Sequence, residues 1–96
     1  MDADKEAEDI LERIIERKST DFDELVENYA REKGISLENA YNIVATAIYE
    51  LAGRLLISRE IVEGEEGNSM ILSASELGEK YVKNRKLIEK MREESK

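Results

Sequence analysis

The chain has 96 residues, with 15 Lys+Arg against 23 Asp+Glu and a net charge of −8 at neutral pH. That length allows one domain, which buries about 60–70% of the surface its unfolded chain exposes. There is no His, Cys, Trp, Pro or Gln, which excludes Ser-His-Asp and Cys-His triads, Cys/His zinc sites, disulfides and haem ligation by those residues.

Charged residues make up 40% of the chain, yet large aliphatic residues recur at regular spacing. This predicts a single globular domain over residues 1–96 with a charged surface, frayed at 1–3 and 93–96. Met1–Glu6 lacks the basic and apolar regions of a signal peptide. No apolar run approaches the roughly 18 residues needed to span a bilayer. A cytoplasmic protein without a membrane partner is the expectation. Abundant Glu, Lys and Ile without Gln or Cys match the compositional bias of hyperthermophile proteins.

A first helix is predicted over Asp4–Arg17, because Ala7, Ile10, Leu11, Ile14 and Ile15 form one apolar stripe. Lys18-Ser19-Thr20-Asp21 ends it. Either Thr20 or Asp21 caps a second helix, which buries Phe22, Leu25, Val26, Tyr29 and Ala30 and ends at Lys33. Gly34 then takes the left-handed position after the last turn.

Ser36 caps a third helix over Leu37–Ala52. Its buried face is Leu37, Ala40, Val44, Ala47, Ile48 and Leu51; its outer face is Glu38, Asn39, Asn42, Thr46, Tyr49 and Glu50. After Gly53 the period changes. Leu55–Val62 is predicted as a strand, Gly64–Asn68 as a turn and Met70–Leu72 as a short second strand, together a β-hairpin. A last helix over 74–92 is capped by either Ser73 or Ser75. The fold class is mainly α with a small hairpin (α+β), in the order helix-helix-helix-strand-strand-helix. The hairpin must cover the open edge of the three-helix core, because an isolated two-stranded ribbon is marginal in water.

From Phe22 to Tyr81 the chain resembles the winged helix-turn-helix superfamily, in particular its small archaeal members. The residues that carry the likeness are Gly34 with the Ile35-Ser36 turn, the exit Leu51-Ala52-Gly53-Arg54-Leu55-Leu56, and Leu72-Ser73-Ala74-Ser75-Glu76-Leu77-Gly78. The last resembles a strand followed by Leu-Thr-x-x-Gly. The likeness implies that the third helix is a recognition helix and that Gly64–Asn68 is the wing. DNA readers of this type set Arg, Lys, Asn, Gln or Ser against base edges and bases against phosphates.

The charge on those two surfaces has the opposite sign. Ser36–Gly53 carries Glu38 and Glu50 and no base; Glu60–Asn68 carries Glu60, Glu63, Glu65 and Glu66 and no base. The first expectation is therefore a non-catalytic protein-interaction module. It meets a basic protein partner through Glu38, Asn39, Asn42, Thr46, Tyr49, Glu50, Glu63, Glu65 and Glu66. The alternative is a dimeric DNA-binding regulator that uses Asn39, Asn42, Thr46, Arg54 and Arg59, with Arg31, Lys33 and the C-terminal bases in one patch.

Residues 81–96 hold six bases and three acids, net +3, whereas 1–80 hold nine bases and twenty acids, net −11. The tail is either an anionic-partner contact or a charged outer face favoured by the helix dipole. Leu77, Tyr81, Asn84, Ile88 and Met91 are spaced 4, 3, 4, 3. They form either a homodimer seam with Asn84 setting register or a stripe packed on the first helix.

Enzymatic chemistry finds no support in the spacing. Gly64 and Gly67 lack the Gly-Lys-Ser/Thr of a phosphate loop. Asp2-x-Asp4-x-Glu6 lacks the glycine and terminal ligand of a calcium loop. No metal, cofactor or catalytic residue is expected.

Overall fold

The computed structural model describes residues 3–94. Four helices and a three-stranded antiparallel sheet follow in the order α1 (Ala3–Arg17), β1 (Ser19–Asp21), α2 (Phe22–Lys33), α3 (Leu37–Gly53), β2 (Ile57–Gly64), β3 (Gly67–Ala74) and α4 (Glu76–Glu94). The class is α+β. Helical geometry includes Ala3, Glu93 and Glu94, where the sequence suggests fraying; residues 1, 2, 95 and 96 lie outside the described residues.

Helix boundaries follow from their caps. The Asp21 carboxylate accepts the N–H groups of Asp23 at 2.8 Å and Glu24 at 3.3 Å, so Asp21 rather than Thr20 is the α2 cap. Gly34 closes α2 at φ 65°, and its N–H donates to the Ala30 carbonyl. Ser36 Oγ accepts from the Asn39 N–H at 3.1 Å to start α3.

The apolar stripe of α1 is the centre of the core: Ile10, Leu11 and Ile14 are fully buried. Around it pack Leu25 and Tyr29 of α2, Val44, Ile48 and Leu51 of α3, Leu56 and Ile57, Leu72 of β3 and Val82 of α4. Leu37, expected in this core, is 60% exposed, because the α3 face turns inward only from Ala40. Phe22 is half-buried and stands edge-on to the exposed Tyr41, with ring centroids 5.5 Å apart.

The sheet corrects the two-stranded hairpin. Strand order is β1-β3-β2, and β1 pairs Ser19 with Ser73, Thr20 with Leu72 and Asp21 with Ile71. Three residues are too few to show alternation, so β1 reads as a linker in the sequence. The register Ile57↔Ala74 to Gly64↔Gly67 makes β3 eight residues long and reduces the turn to Glu65-Glu66. Gly67, at φ 121°, supplies the positive angle that so short a connection needs. Leu55 and Leu56 precede β2; Leu55 sits at φ 62° in a tight turn, which delays the strand to Ile57.

Helix α4 begins at Glu76, not residue 74, and its first turn is locked to that Leu55-Leu56 turn. Ser75 Oγ donates to the Leu55 carbonyl at 2.7 Å and accepts from the Gly78 N–H at 3.0 Å. The Ser75 N–H donates to the Leu56 carbonyl at 3.0 Å. A Cβ on Gly78 would lie 2.0 Å from that same carbonyl oxygen. The Ser-x-x-Gly sequence is thus a cap and a close backbone crossing together.

Candidate interaction face

Side chains alternate across the hairpin, so Ile57, Arg59 and Ile61 of β2 share a face with Ala74, Leu72 and Met70 of β3. Ile57 and Leu72 anchor that face in the core, whereas Ile61 is 57% exposed. The hairpin therefore outruns the helices beneath it. Its outer half and the exposed side of α3 form two walls of an open cleft.

On α3 the outer face is as the sequence suggests at Glu38, Asn39, Asn42, Thr46 and Tyr49, all exposed; Glu50 is partly covered. Thr46 Oγ1 is engaged by its own helix, donating to the Asn42 carbonyl at 2.8 Å. The side-chain amides of Asn39 and Asn42 make no hydrogen bond among the described residues. Glu63, Glu65 and Glu66 are exposed along the hairpin and its tip, with Glu60 behind them on the opposite sheet face.

Between the walls lies a groove of about 260 Å³ lined by Phe22, Tyr41, Ala45, Ile48, Tyr49, Arg59 and Met70. Tyr41, Ala45 and Tyr49 are four residues apart on one stripe of α3. Sequence reasoning misses Phe22, Tyr41 and Met70 here. Phe22 is at a core spacing of α2, and Met70 looks like interior strand. The available signal for Tyr41 is its i+4 relation to Ala45 and i+8 relation to Tyr49, which continues the outer face.

The bases offered for DNA contact are not gathered at this face. Arg54 Nη1 lies 4.0 Å from Glu50 Oε1, and its guanidinium stands 5.2 Å from the centre of the Tyr81 ring. Lys33 lies 3.8 Å from the Asp9 carboxylate and 5.8 Å from the Tyr29 ring centre, while Arg31 donates to Asn28. Only Arg59 of that set lines the groove. By contrast, Glu38, Glu60, Glu63, Glu65 and Glu66 form no ion pair among the described residues, so their charge is uncompensated.

The C-terminal stripe divides in two. Tyr81 is half-buried against its own chain, its hydroxyl donating to Glu8 at 2.9 Å, and Arg85 pairs with the same Glu8 carboxylate. Asn84, Ile88 and Met91 are exposed, as are Leu77 and Leu87, and no residue from Lys83 to Glu94 is buried.

Tyr29, away from this face, carries a phenol with a displaced pKa. Burial raises it above the ordinary value, followed by the nearby Glu6 and Asp9 carboxylates, and Arg13 opposes them. Among the described residues no cluster of three or more His, Cys, Asp or Glu could hold a metal ion. No helix there is long and apolar enough to cross a membrane. Compared with known proteins, the chain matches no protein-family model and shows no significant match to a curated protein.

Proposed function

We propose that the chain is a non-catalytic, cytoplasmic winged-helix module whose third helix and hairpin contact a basic protein partner. The observation that carries this reading is the uncompensated negative charge of Glu38, Glu60, Glu63, Glu65 and Glu66 along the helix and hairpin that a winged-helix protein would present to DNA. Phosphates approaching there meet carboxylates, and the counterion release that drives DNA association needs cations instead. The three helices followed by a hairpin, with α4 capped at Ser75, support the winged-helix assignment. The exposed Leu87, Ile88 and Met91 support a homodimer through the last turns of α4.

A dimeric DNA-binding regulator is the second reading, favoured by the unengaged Asn39 and Asn42 amides on an exposed helix face. Titration of the full chain against generic duplex DNA separates the two. The first predicts no binding at about physiological salt. Micromolar affinity that falls steeply as salt rises would overturn it.

A further inference from the structure

We propose that the groove between α3 and the β2–β3 hairpin takes one aromatic side chain from a basic segment of a protein partner. The segment's flanking Lys or Arg residues lie against the carboxylates that border the groove. This rests on the reading of that face as a protein-contact surface and names the chemistry of its occupant.

The groove is the apolar centre of an otherwise charged face. Tyr49 is 80% exposed and Tyr41 53%, and with the half-buried Met70 they leave aromatic and aliphatic surface open to solvent above the buried Ile48 that floors the groove. Its walls are rigid elements. Tyr41 is held edge-on by Phe22, and Met70 sits on the central strand of the sheet. A volume of about 260 Å³ falls below the roughly 300–1,000 Å³ of small-molecule sites, which suits one inserted side chain rather than a whole ligand.

The border is acidic at both ends. Glu38 continues the Tyr41–Ala45–Tyr49 stripe by one turn, and Glu63, Glu65 and Glu66 edge the hairpin. Glu8, Asp9, Glu24 and Glu32 are matched by arginines of the same chain, whereas the border carboxylates, like Glu12, Glu16 and Glu27 elsewhere, make no ion pair among the described residues and are free to meet a partner's cations. An apolar centre flanked by a polar, charged rim is the anatomy of a protein interface, with the binding energy concentrated at the centre. Arg59 is the one cation among the described residues that line the groove, and its planar guanidinium offers a stacking face to an incoming ring.

Selection of a random peptide display library on the immobilised full chain tests this. The chain has no Trp, so fluorescence of a Trp-bearing selected peptide reports its binding. The expected peptides carry Trp, Phe or Tyr flanked by Lys or Arg. Tyr49→Ala, at a side chain that supports no packing, and separately Tyr41→Ala each weaken them about tenfold, with far-UV circular dichroism unchanged. Peptides that are basic but lack an aromatic residue, bind both Tyr variants as tightly as the wild type, and are lost on Glu63→Lys/Glu65→Lys/Glu66→Lys would overturn the groove and leave the acidic contact standing. Enrichment of acidic peptides, or of none, would overturn both.

Discussion

Replacing Gly78 by Ala is the sharpest test of how α4 is seated. In an exposed helix interior this change stabilises by about 1 kcal/mol, because Ala is the better helix former. Here the added Cβ would stand 2.0 Å from the Leu56 carbonyl oxygen, 3.0 Å from its carbon and 3.4 Å from its Cα. Real Cβ contacts begin near 3.0 Å, so the two backbones must separate by 3.0 − 2.0 = 1.0 Å. The Leu56 oxygen cannot give way freely, because it accepts the Ser75 N–H at 3.0 Å. Overpacking costs about 1–3 kcal/mol and the stretched hydrogen bond about 1 kcal/mol. After the propensity gain, a net loss of about 2 kcal/mol remains, which lowers Tm by about 10 °C in a domain of this size. Denaturant unfolding with parallel calorimetry measures it. A Gly78→Ala protein as stable as the wild type, or more so, would refute the close crossing of α4 over the Leu55-Leu56 turn.

Leu55→Gly has the opposite sign: it releases a left-handed φ of 62° at a side chain that is 71% exposed, for a net gain of about 0.5–1 kcal/mol in denaturant unfolding. Tyr29 gives a pH dependence. Its folded pKa is raised, so above about pH 10 the unfolded chain releases the phenolic proton first. Stability is fully present below that pH and falls as pH rises through the folded value. Tyr29→Phe flattens this alkaline slope in unfolding curves collected across pH, and an unchanged slope would contradict the burial argument. Sedimentation tests the α4 surface: self-association of the wild type is expected to disappear in Ile88→Lys, and a wild type that stays monomeric would end the dimer proposal.

The helices were legible because their apolar stripes and caps are local signals. Ile10, Leu11 and Ile14 at helical spacing mark the core, and Asp21, Gly34 and Ser36 stand at the boundaries that their chemistry favours. What escaped depends on partners distant in the chain. Ser19–Asp21 is a strand only because β3 lies beside it, and Leu37 is exposed because α3 turns its face to the core only from Ala40. Tyr81 is read equally well as seam or core until Glu8 and Arg54 are seen to face it. The acidic residues of the candidate site were legible singly; the groove they border was not, since it joins Phe22, Tyr49 and Met70 from three elements.

On the proposed function, local charge rather than the shape of the fold keeps this face from nucleic acid. Reversing the hairpin with Glu63→Lys, Glu65→Lys and Glu66→Lys changes the net charge from −8 to −8 + 6 = −2 while leaving α3 and the core untouched. Wild type and variant are titrated side by side against generic duplex DNA over a range of salt. The wild type is expected not to bind, whereas the variant binds with an affinity that falls linearly in log salt, by about 0.9 per phosphate contact. Binding by the wild type as tight as by the variant would contradict it.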